Sequence, residues 1–397
     1  MKVLVLTNKP PYPPMDGGSL ATLQMITTLA NTGNDVSVFY LNTFKHQYDP
    51  ADIPGEIAVQ IAFHNAFVDT RIKILPALFS LFSLGEPYTL RRFYSQPISN
   101  QILLLAKKRD YDLIQFEGLA MTVYLNDLSF LSAKKVLRAH NVESVIWNRL
   151  QMIQRSPFRR FYLKHLAKRI KVYEKKMIQR FDALMPVSPI DAAQFSSWGF
   201  HGKVQVVPVG IDLEKYTANT EPPENVLIFL GALDWLPNIN GLQWFVKEIW
   251  PEIHRTFPDV VFRIAGRNPD PGLQYLKKRS NIAFVGEVKD KIKFLHSGRI
   301  FIVPLFAGSG VRIKILEAMA AGCAIISTTT GAEGLPIEDG KHLLLADNRR
   351  EFINKVKSLL SDDKRIRKIT ENALLLVRDH FDNRKITPLI KKFIAQL

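Results

Sequence analysis

Two hydrophobic periods alternate along the chain. Short runs of aliphatic and β-branched residues, typical of buried parallel strands, are separated by segments in which apolar residues recur every three or four positions, as in amphipathic helices. Strands are predicted at 2–7, 35–41, 111–116, 135–138, 183–187 and 204–209 in the first half, and at 225–230, 260–265, 282–285, 299–304, 324–328 and 342–346 in the second. The clearest helices are predicted at 19–30, 240–256, 289–296, 313–321, 349–360, 363–380 and 384–397.

This alternation predicts an α/β fold with parallel sheets and helices on both faces. Twelve strands are too many for one doubly wound sheet in 397 residues, so two Rossmann-like, doubly wound domains are expected. A polar, proline-containing stretch at 210–225 is the predicted linker between them.

The composition is that of a globular protein, with 47% hydrophobic and 23% charged residues. The single cysteine, Cys323, excludes an internal disulfide and a cysteine-rich metal site, which fits a reducing compartment. No apolar run reaches the roughly 18 residues of a membrane span, and a strand-like segment follows Met1 directly. We therefore expect a cytoplasmic protein without a signal peptide, cofactor or disulfide.

Charge changes this picture, because 53 Lys and Arg against 37 Asp and Glu leave a net +16. Many of these cations lie at 155–180, where apolar residues from Phe158 to Met177 recur at helical spacing. A second stretch, 72–84, is apolar and precedes two arginines, Arg91 and Arg92. The pair of segments is typical either of a solvated helix and a core helix, or of contact with an anionic membrane surface, on the inner face of the membrane. No recognised nucleic-acid module accompanies them, so nucleic acid is not an expected partner.

The first candidate for chemistry is the loop after the opening strand, which contains Gly17 and Gly18. A strand, a glycine loop and a helix can admit an anionic ligand, because glycine lets the backbone approach and the helix amino end offers N–H groups. Adjacent glycines are also typical of a simple turn. The spacing is not Gly-x-Gly-x-x-Gly, so a dinucleotide cofactor is not expected.

A stronger candidate is the loop between the strand predicted at 299–304 and the helix that follows. Ser309 is expected to cap this helix, and the N–H groups after it, from Gly310 on, could hold a phosphate oxygen. Arg312 and Lys314 add positive charge at an end where a structural helix would prefer acids. Lys314 and Glu317 are three residues apart and share a helix face. A pyrophosphate at the cations and a ribose diol at Glu317 would use all three side chains; the alternative is an ordinary surface pair.

Two further loops follow predicted strands at the carboxyl end, where open α/β sheets hold their ligands. One contains His140 and Glu143, and the other, with Gly231, opens the second domain. The position favours a site role for His140, although single histidines are commonly structural.

An Asp-x-Asp pair, Asp110 and Asp112, opens a strand and does not end one, so it is interpreted as strand punctuation and no metal site is predicted. The Gly-x-Ser-x-Gly, Walker and His-Glu-x-x-His patterns are absent from the sequence, which disfavours the commonest hydrolase and NTPase functions.

These motifs together resemble the family-4 retaining glycosyltransferases, which have the GT-B fold. The resemblance rests on the segments 13–18, 140–143, 206–212, 285–288, 308–320 and 331–335. It implies two Rossmann-like domains facing across a cleft, the first formed by 1–208 plus 381–397 and the second by 209–380.

The resemblance also implies a function. The second domain would bind a nucleotide diphosphate sugar, with base recognition near Gly266 and Gly286, and the first would hold a glycan or lipid-linked acceptor. Transfer would retain the anomeric configuration, need no metal, and serve cell-surface polysaccharide biosynthesis. His140 would lie near the reacting carbon.

The chain departs from the common family pattern at two places. Ser309 stands eight residues before Glu317, where the family usually has a first glutamate, and Ala232 and Asn240 stand where it has an arginine and a lysine. A branch with Gly-Ser-Gly-x-Arg-x-Lys looks similar, so we expect Arg312 and Lys314 to supply the missing charge. A GT-B sugar-nucleotide epimerase and a catalytically silent subunit that recruits a partner to the membrane are the alternatives.

Overall fold

A computed structural model describes residues 1–80, 85–154, 156–216 and 225–397, apart from the side chains of Ile74 and Leu78. The chain divides into two compact units, unit 1 with Met1–Val209 and Thr387–Leu397, and unit 2 with Gly210–Ile386. Arg155 and parts of the predicted linker and of the apolar stretch 72–84 lie outside the described residues.

Unit 1 is built on a seven-stranded parallel sheet in the order β3-β2-β1-β4-β5-β6-β7. Its strands are β1 (Lys2–Thr7), β2 (Asp35–Asn42), β3 (Ile61–Phe67), β4 (Leu113–Glu117), β5 (Lys134–Ala139), β6 (Ala183–Pro186) and β7 (Lys203–Val204). Its helices are α1 (Gly17–Asn31), α2 (Gly55–Ala58), α3 (Ile74–Phe79), α4 (Tyr88–Arg91), α5 (Gln96–Arg109), α6 (Leu125–Leu128), α7 (Glu143–Met152), α8 (Pro157–Ile178) and α9 (Pro189–Ser197).

Unit 2 contains a six-stranded parallel sheet in the order β10-β9-β8-β11-β12-β13. Its strands are β8 (Val226–Leu230), β9 (Val261–Ala265), β10 (Ile282–Gly286), β11 (Ile300–Val303), β12 (Ala324–Ser327) and β13 (Leu344–Leu345). Its helices are α10 (Leu236–Trp244), α11 (Trp250–Thr256), α12 (Lys291–Leu295), α13 (Ile313–Ala320), α14 (Arg349–Leu360) and α15 (Asp363–His380), and α16 (Asn383–Ile394) begins in unit 2 and ends in unit 1.

The strand order places a topological switch point in each sheet. In unit 1 the chain runs outward from β1 to β3 and then returns to the other side of β1 with β4; in unit 2 the same reversal occurs between β8 and β11. Loops that leave neighbouring strands in opposite directions open a crevice at such a point, and open α/β sheets bind ligands there. The predicted fold class, two doubly wound parallel sheets, is confirmed.

Three strands and one helix differ from the prediction. The strand β3 was missed, because His64 and Asn65 interrupt the apolar run that was used as the strand signal. The predicted strands 204–209 and 342–346 shrink to the two-residue strands β7 and β13. The predicted helix 240–256 begins earlier, at Leu236, and contains a π-helical segment, Phe245–Ile249, before α11. Pro251 follows this segment and has no N–H to donate, which disturbs the regular helical ladder.

The basic helix α8 uses its apolar residues in two ways. Towards its carboxyl end Leu166, Ile170, Tyr173 and Met177 are buried in the core of unit 1. Near its amino end the side chains of Phe158 and Phe161 are 74% and 69% exposed. The predicted single apolar face therefore covers the core along only part of the helix. None of the described helices has the length and hydropathy needed to cross a membrane.

Candidate functional site

The carboxyl ends of β8, β9 and β10 meet in a backbone packing that requires glycine. A Cβ on Gly266 would lie 1.8 Å from the carbonyl oxygen of Gly231, so no side chain fits there. The N–H of Gly266 donates to the carbonyl of Gly286 at 2.8 Å, and Gly286 has a φ of +79° that favours glycine. Bare backbone thus lines this edge of the unit 2 sheet, and base recognition at Gly266 and Gly286 stays a prediction.

Lys314 brings an amine to the first loop of the unit. Its Nζ donates to Oδ1 of Asn238 at 3.0 Å and lies 4.5 Å from the ring centroid of Phe229. Asn238 is fixed in turn, because its Nδ2 donates to the carbonyl of Ala232 at 2.8 Å. A Cβ on Gly231 would be 2.9 Å from that amide nitrogen and 3.3 Å from Nζ of Lys314. The absence of a side chain at Gly231 therefore makes room for the cation.

The pKa of Lys314 is lowered to about 7, first by desolvation and second by the nearby charge of Arg312. An ammonium that loses hydration without an acidic partner is disfavoured relative to the neutral amine. An incoming anion would restore the charged form. Perturbed groups of this kind are typical of functional sites.

The loop before α13 is organised by Arg312. The Arg312 guanidinium donates to the carbonyl of Gly310 at 2.8 Å and also to the carbonyl of Ser309. A Cβ on Gly308, where φ is +142°, would lie 2.1 Å from this guanidinium, so glycine is required at that position. The buried Arg312 side chain thus fixes the backbone of the loop at 308–310 through these hydrogen bonds.

The expected capping role of Ser309 was wrong. Helix α13 begins at Ile313 and its N-cap residue is Arg312, which has an extended backbone and makes no side-chain capping bond. Ser309 lies one turn too early to reach the first helical N–H groups. The amino end of α13 therefore has no side-chain cap of its own.

Glu317 does not pair with Lys314. Its Oε1 accepts a hydrogen bond from the hydroxyl of Tyr216 at 3.1 Å and another from Nζ of Lys291. Only 6% of Glu317 is exposed. Although the two residues share a helix turn, Lys314 turns to α10 while Glu317 turns to α12 and to the short 3₁₀ segment Leu213–Tyr216.

In unit 1, Gly17 is the first residue of α1 and Gly18 the second. The N-cap of this helix is Asp16, whose carboxylate accepts from the N–H of Ser19 at 2.9 Å and from Nζ of Lys9 at 2.6 Å. A Cβ on Gly18 would be 2.8 Å from that lysine nitrogen. The carboxylate of Asp16 therefore already occupies part of the amino end of α1, where the sequence predicted an anionic ligand.

His140 follows β5, and its Nε2 lies 2.7 Å from Oε2 of Glu117. Glu117 ends β4 at the switch point and is 2% exposed. Desolvation raises the pKa of this carboxyl, but the charge of Arg138 and the hydrogen bonds of His140 outweigh it, and the pKa is about 2. The carboxylate partner of His140 is therefore a residue that the sequence analysis did not single out.

Glu143 begins α7, and burial raises the pKa of its carboxyl. Its backbone N–H and that of Ser144 donate to the carboxylate of Glu174 on α8, at 2.9 and 3.1 Å. Glu174, the only acid of α8, thus supplies the capping acceptor for α7 from a neighbouring helix. The structure places Glu143 three residues after His140, at the first turn of α7.

Asp112 accepts a hydrogen bond from the backbone N–H of Lys2 at 2.7 Å, and Asp110 ends α5 in a left-handed conformation with φ of 49°. The Asp112 side chain therefore ties the start of β4 to the start of β1. Across the described ranges no group of three or more His, Cys, Asp or Glu residues could hold a metal ion.

Sequence reasoning missed four residues that hold the candidate side chains: Glu117, Tyr216, Asn238 and Lys291. Glu117 had a signal, since an acid at the carboxyl end of a strand beside the switch point is a usual site position. The partners of Glu317 had none, because they come from 26 and 101 positions away in the chain.

The sequence matches two known family descriptions. Residues 15–215 match the family described as Glycosyltransferase Family 4, and residues 224–362 match the description Glycosyl transferases group 1. A Klebsiella pneumoniae relative, named as an uncharacterized 44.6 kDa protein in the cps region, is 26% identical over 404 aligned positions, which cover 98% of this chain and 99% of the relative. The phosphatidyl-myo-inositol mannosyltransferase of Mycobacterium tuberculosis (strain H37Rv) is 26% identical over 152 residues, 36% of this chain and 39% of that protein.

Two solved structures are similar over the whole chain. Sucrose-phosphate synthase from Thermosynechococcus elongatus superposes with a TM-score of 0.72 at 16% identity, covering 100% of this chain and 99% of that one. Anabaena Alr3699/HepE in complex with UDP and glucose superposes with a TM-score of 0.69 at 16% identity, covering 99% of each chain. The two doubly wound parallel sheets and these structural similarities define a GT-B fold. The family match spans more than half of the sequence, and the chain belongs to Glycosyltransferase Family 4.

Proposed function

We propose that unit 2 binds a nucleotide diphosphate sugar and that the protein transfers the sugar, with retention of configuration, to a glycan or lipid-linked acceptor bound by unit 1. The observation that carries the proposal is Lys314, whose amine lies at the β8 switch point beside bare backbone and the uncapped end of α13. A diphosphate is the ligand that such an arrangement stabilises. The UDP complexes of the Anabaena neighbour support this donor class.

In the proposed step the bond between the anomeric carbon and the diphosphate oxygen breaks while a bond to the acceptor oxygen forms on the same face. The acceptor proton passes to the leaving phosphate oxygen. Negative charge grows on the departing diphosphate, and Lys314, the charge of Arg312 and the N–H groups of α13 stabilise it there. The step therefore needs no enzymic nucleophile, because the protein acts by stabilising the leaving group.

Glu317 is the proposed partner of the ribose hydroxyls. Its carboxylate accepts from Tyr216 and Lys291 in the structure. A ribose diol can donate to the same oxygens, so donor binding would exchange the Lys291 bond for two hydroxyl bonds. His140, in unit 1, is proposed to contact the transferred sugar or the acceptor.

A membrane-borne acceptor is proposed because the two segments selected from the sequence are neighbours. A guanidinium nitrogen of Arg169, on α8, donates to the carbonyl of Gly85 at 2.6 Å, just after the apolar stretch. In that stretch Ile72, Leu75 and Phe79 are 71%, 68% and 73% exposed. Exposed apolar side chains beside a cationic helix are typical of surfaces that contact anionic lipid.

The relative in the cps region of Klebsiella pneumoniae supports a role in cell-surface polysaccharide biosynthesis. In this proposal the protein works at the inner face of the membrane, where a lipid-linked acceptor would be presented.

The test begins with a thermal-shift screen against UDP, GDP, dTDP and ADP, which ranks the bases by ligand-linked stabilisation. Turnover of the matching sugar nucleotide is then measured for Arg312→Ala and Lys314→Ala. Each loss should cost about 2 to 4 kcal/mol of transition-state stabilisation, a roughly 30- to 1000-fold loss of rate. Lys293→Ala, an exposed lysine of the same unit, is the control and should act as wild type.

Rates near wild type for both variants would overturn the phosphate assignment. Transfer should continue in EDTA, and the anomeric proton coupling of the product should match that of the donor. Conversion of the donor alone into an isomer would indicate the epimerase instead. Donor binding without product across an acceptor panel would indicate the silent subunit.

A further inference from the structure

Glu117 lies at the centre of unit 1's switch point. In the sheet register it pairs with Thr7 at the end of β1 and with Arg138 near the end of β5. Its side chain is 1% exposed, whereas that of His140 is 19% exposed. The carboxylate is thus buried behind a histidine whose ring reaches the surface.

Four groups, three on named elements and one in the loop after β5, converge on this carboxylate. Nε2 of His140 lies at 2.7 Å, the Thr22 hydroxyl at 3.2 Å and Nε2 of Gln115 at 2.5 Å, and the Arg138 guanidinium lies at 3.6 Å. Thr22 belongs to α1, the helix that begins at Gly17. The same guanidinium nitrogen of Arg138, Nη1, donates to the carbonyl of Ala21 at 2.7 Å.

Burial of a carboxylate is costly unless such partners compensate. The Arg138 charge and the amide of Gln115 already provide compensation within the sheet. The hydrogen bond to His140 is a further partner, and it ties one edge of an imidazole that is 19% exposed to a buried carboxylate. A carboxylate has no proton to give, so the shared hydrogen belongs to Nε2 of His140.

We infer that Glu117 is a positioning residue that fixes the orientation and the tautomer of His140. This inference rests on the proposed function, in which His140 contacts the transferred sugar or the acceptor. A neutral imidazole that carries its hydrogen on Nε2 has its lone pair on Nδ1, so the contact with Glu117 selects one of the two neutral tautomers. The Glu117 carboxylate is fixed by its contacts with Arg138, Gln115 and Thr22. It in turn orients the His140 ring through the hydrogen bond to Nε2.

The tautomer is read from nitrogen–proton correlations of protein labelled with ¹⁵N-histidine, in which the His140 signals are those that disappear in His140→Asn. Wild type should show the Nε2–H pattern. Glu117→Gln keeps the shape but replaces an acceptor by an amide that can also donate, and the pattern should become a mixture. Glu86→Gln, the same change at a carboxylate next to Arg91, should leave the His140 signals unchanged.

Turnover of UDP-glucose as the probe provides a second readout through a double-mutant cycle. Glu117→Gln should lower the rate about 10- to 100-fold, as for removal of groups that orient a functional histidine. In the His140→Asn background the same change should have little further effect. Equal losses in both backgrounds, or a wild-type tautomer pattern in Glu117→Gln with an unchanged melting temperature, would overturn the inference.

The two proposals can fail separately. If His140→Asn turns over sugar as wild type does while Glu117→Gln scrambles the tautomer, positioning holds and the proposed role of His140 fails. If His140→Asn loses activity while Glu117→Gln keeps the wild-type tautomer and rate, the proposed function holds and positioning by Glu117 is wrong.

Discussion

The proposed donor site depends on Lys314, which has no acidic partner among the residues that the structure describes. The contacts of Lys314 are an amide oxygen and an aromatic ring, which orient the amine but do not neutralise it. Desolvation and the charge of Arg312 then set its pKa near 7. In the absence of donor the amine is therefore divided between its charged and neutral forms at neutral pH.

This pKa predicts a pH dependence of nucleotide binding. A bound diphosphate favours the ammonium, so binding above pH 7 takes up a proton and the affinity falls with rising pH, by at most about tenfold per pH unit. Below pH 7 the amine is already charged and affinity should level off. The measurement is the Kd of the nucleoside diphosphate that ranks first in the screen, determined by calorimetry from about pH 6 to 9.

Lys314→Arg is the matched variant, because a guanidinium stays charged over this range. Its Kd should be nearly independent of pH. An equal pH slope in wild type and Lys314→Arg would show that another group takes up the proton.

At the scale of elements, α7 and α8 are joined by a buried acid. Glu174 accepts the backbone N–H groups of Glu143 and Ser144, so α8 caps the helix that follows His140. Desolvation nevertheless raises the Glu174 pKa to about 7, since burial outweighs the two hydrogen bonds. Between about pH 4.5 and 7, the Glu174 carboxyl therefore keeps its proton in the folded state but releases it in the unfolded chain.

The sign of the resulting stability change follows from linkage. A carboxyl with a raised folded-state pKa contributes its stability fully below its unfolded pKa and loses it as pH rises through about 7. Urea unfolding between about pH 5 and 8 should show wild type losing on the order of 1 to 3 kcal/mol relative to Glu174→Gln. Parallel pH curves for the two proteins would contradict the assignment.

At the scale of the molecule, the net charge of +16 is unevenly distributed, and positive charge is concentrated in α8. This 22-residue helix, about 33 Å long, has seven exposed charged side chains, and all are positive: Arg159, Arg160, Lys164, Lys168, Lys171, Lys175 and Lys176. Its one acid is buried in the contact with α7. A shallow depression lined by Gln151, Pro157, Arg160, Phe161 and Lys164 lies at the amino end.

Flotation with liposomes tests whether this surface meets lipid. Wild type should float with vesicles containing anionic phosphatidylglycerol at low salt and remain largely unbound at high salt, because screening weakens the attraction. Arg160→Glu with Lys164→Glu should abolish flotation, and Phe158→Ser with Phe161→Ser should weaken it at both salt concentrations.

The control reverses the same number of charges on α15, at the exposed residues Lys364 and Arg367. That variant should float as wild type does. Equal losses in both charge-reversed proteins would indicate a general effect of net charge. If wild type stays unbound at low salt, α8 is a solvated helix that does not contact lipid.

The sequence predicted the alternation of strands and helices well because each element follows a local period. It missed β3, because the polar His64 and Asn65 interrupt the apolar run. It also missed the π-helical segment before Pro251 in the helix predicted at 240–256. The motif around Arg312, Lys314 and Glu317 was recognised, but the expected cap by Ser309 was wrong, because helix start and loop shape depend on a buried guanidinium.

The α/β class, the two doubly wound sheets and the loops that could hold a ligand follow from hydrophobic period, glycine and charge, which are local properties of the chain. Which side chains meet depends instead on how distant segments fold together. Glu317 pairs with Lys291 and Tyr216, Lys314 with Asn238, and His140 with Glu117. The reason is physical: the partner of a buried polar group is chosen by the cost of leaving it unsatisfied, and the groups that can satisfy it come from distant parts of the chain.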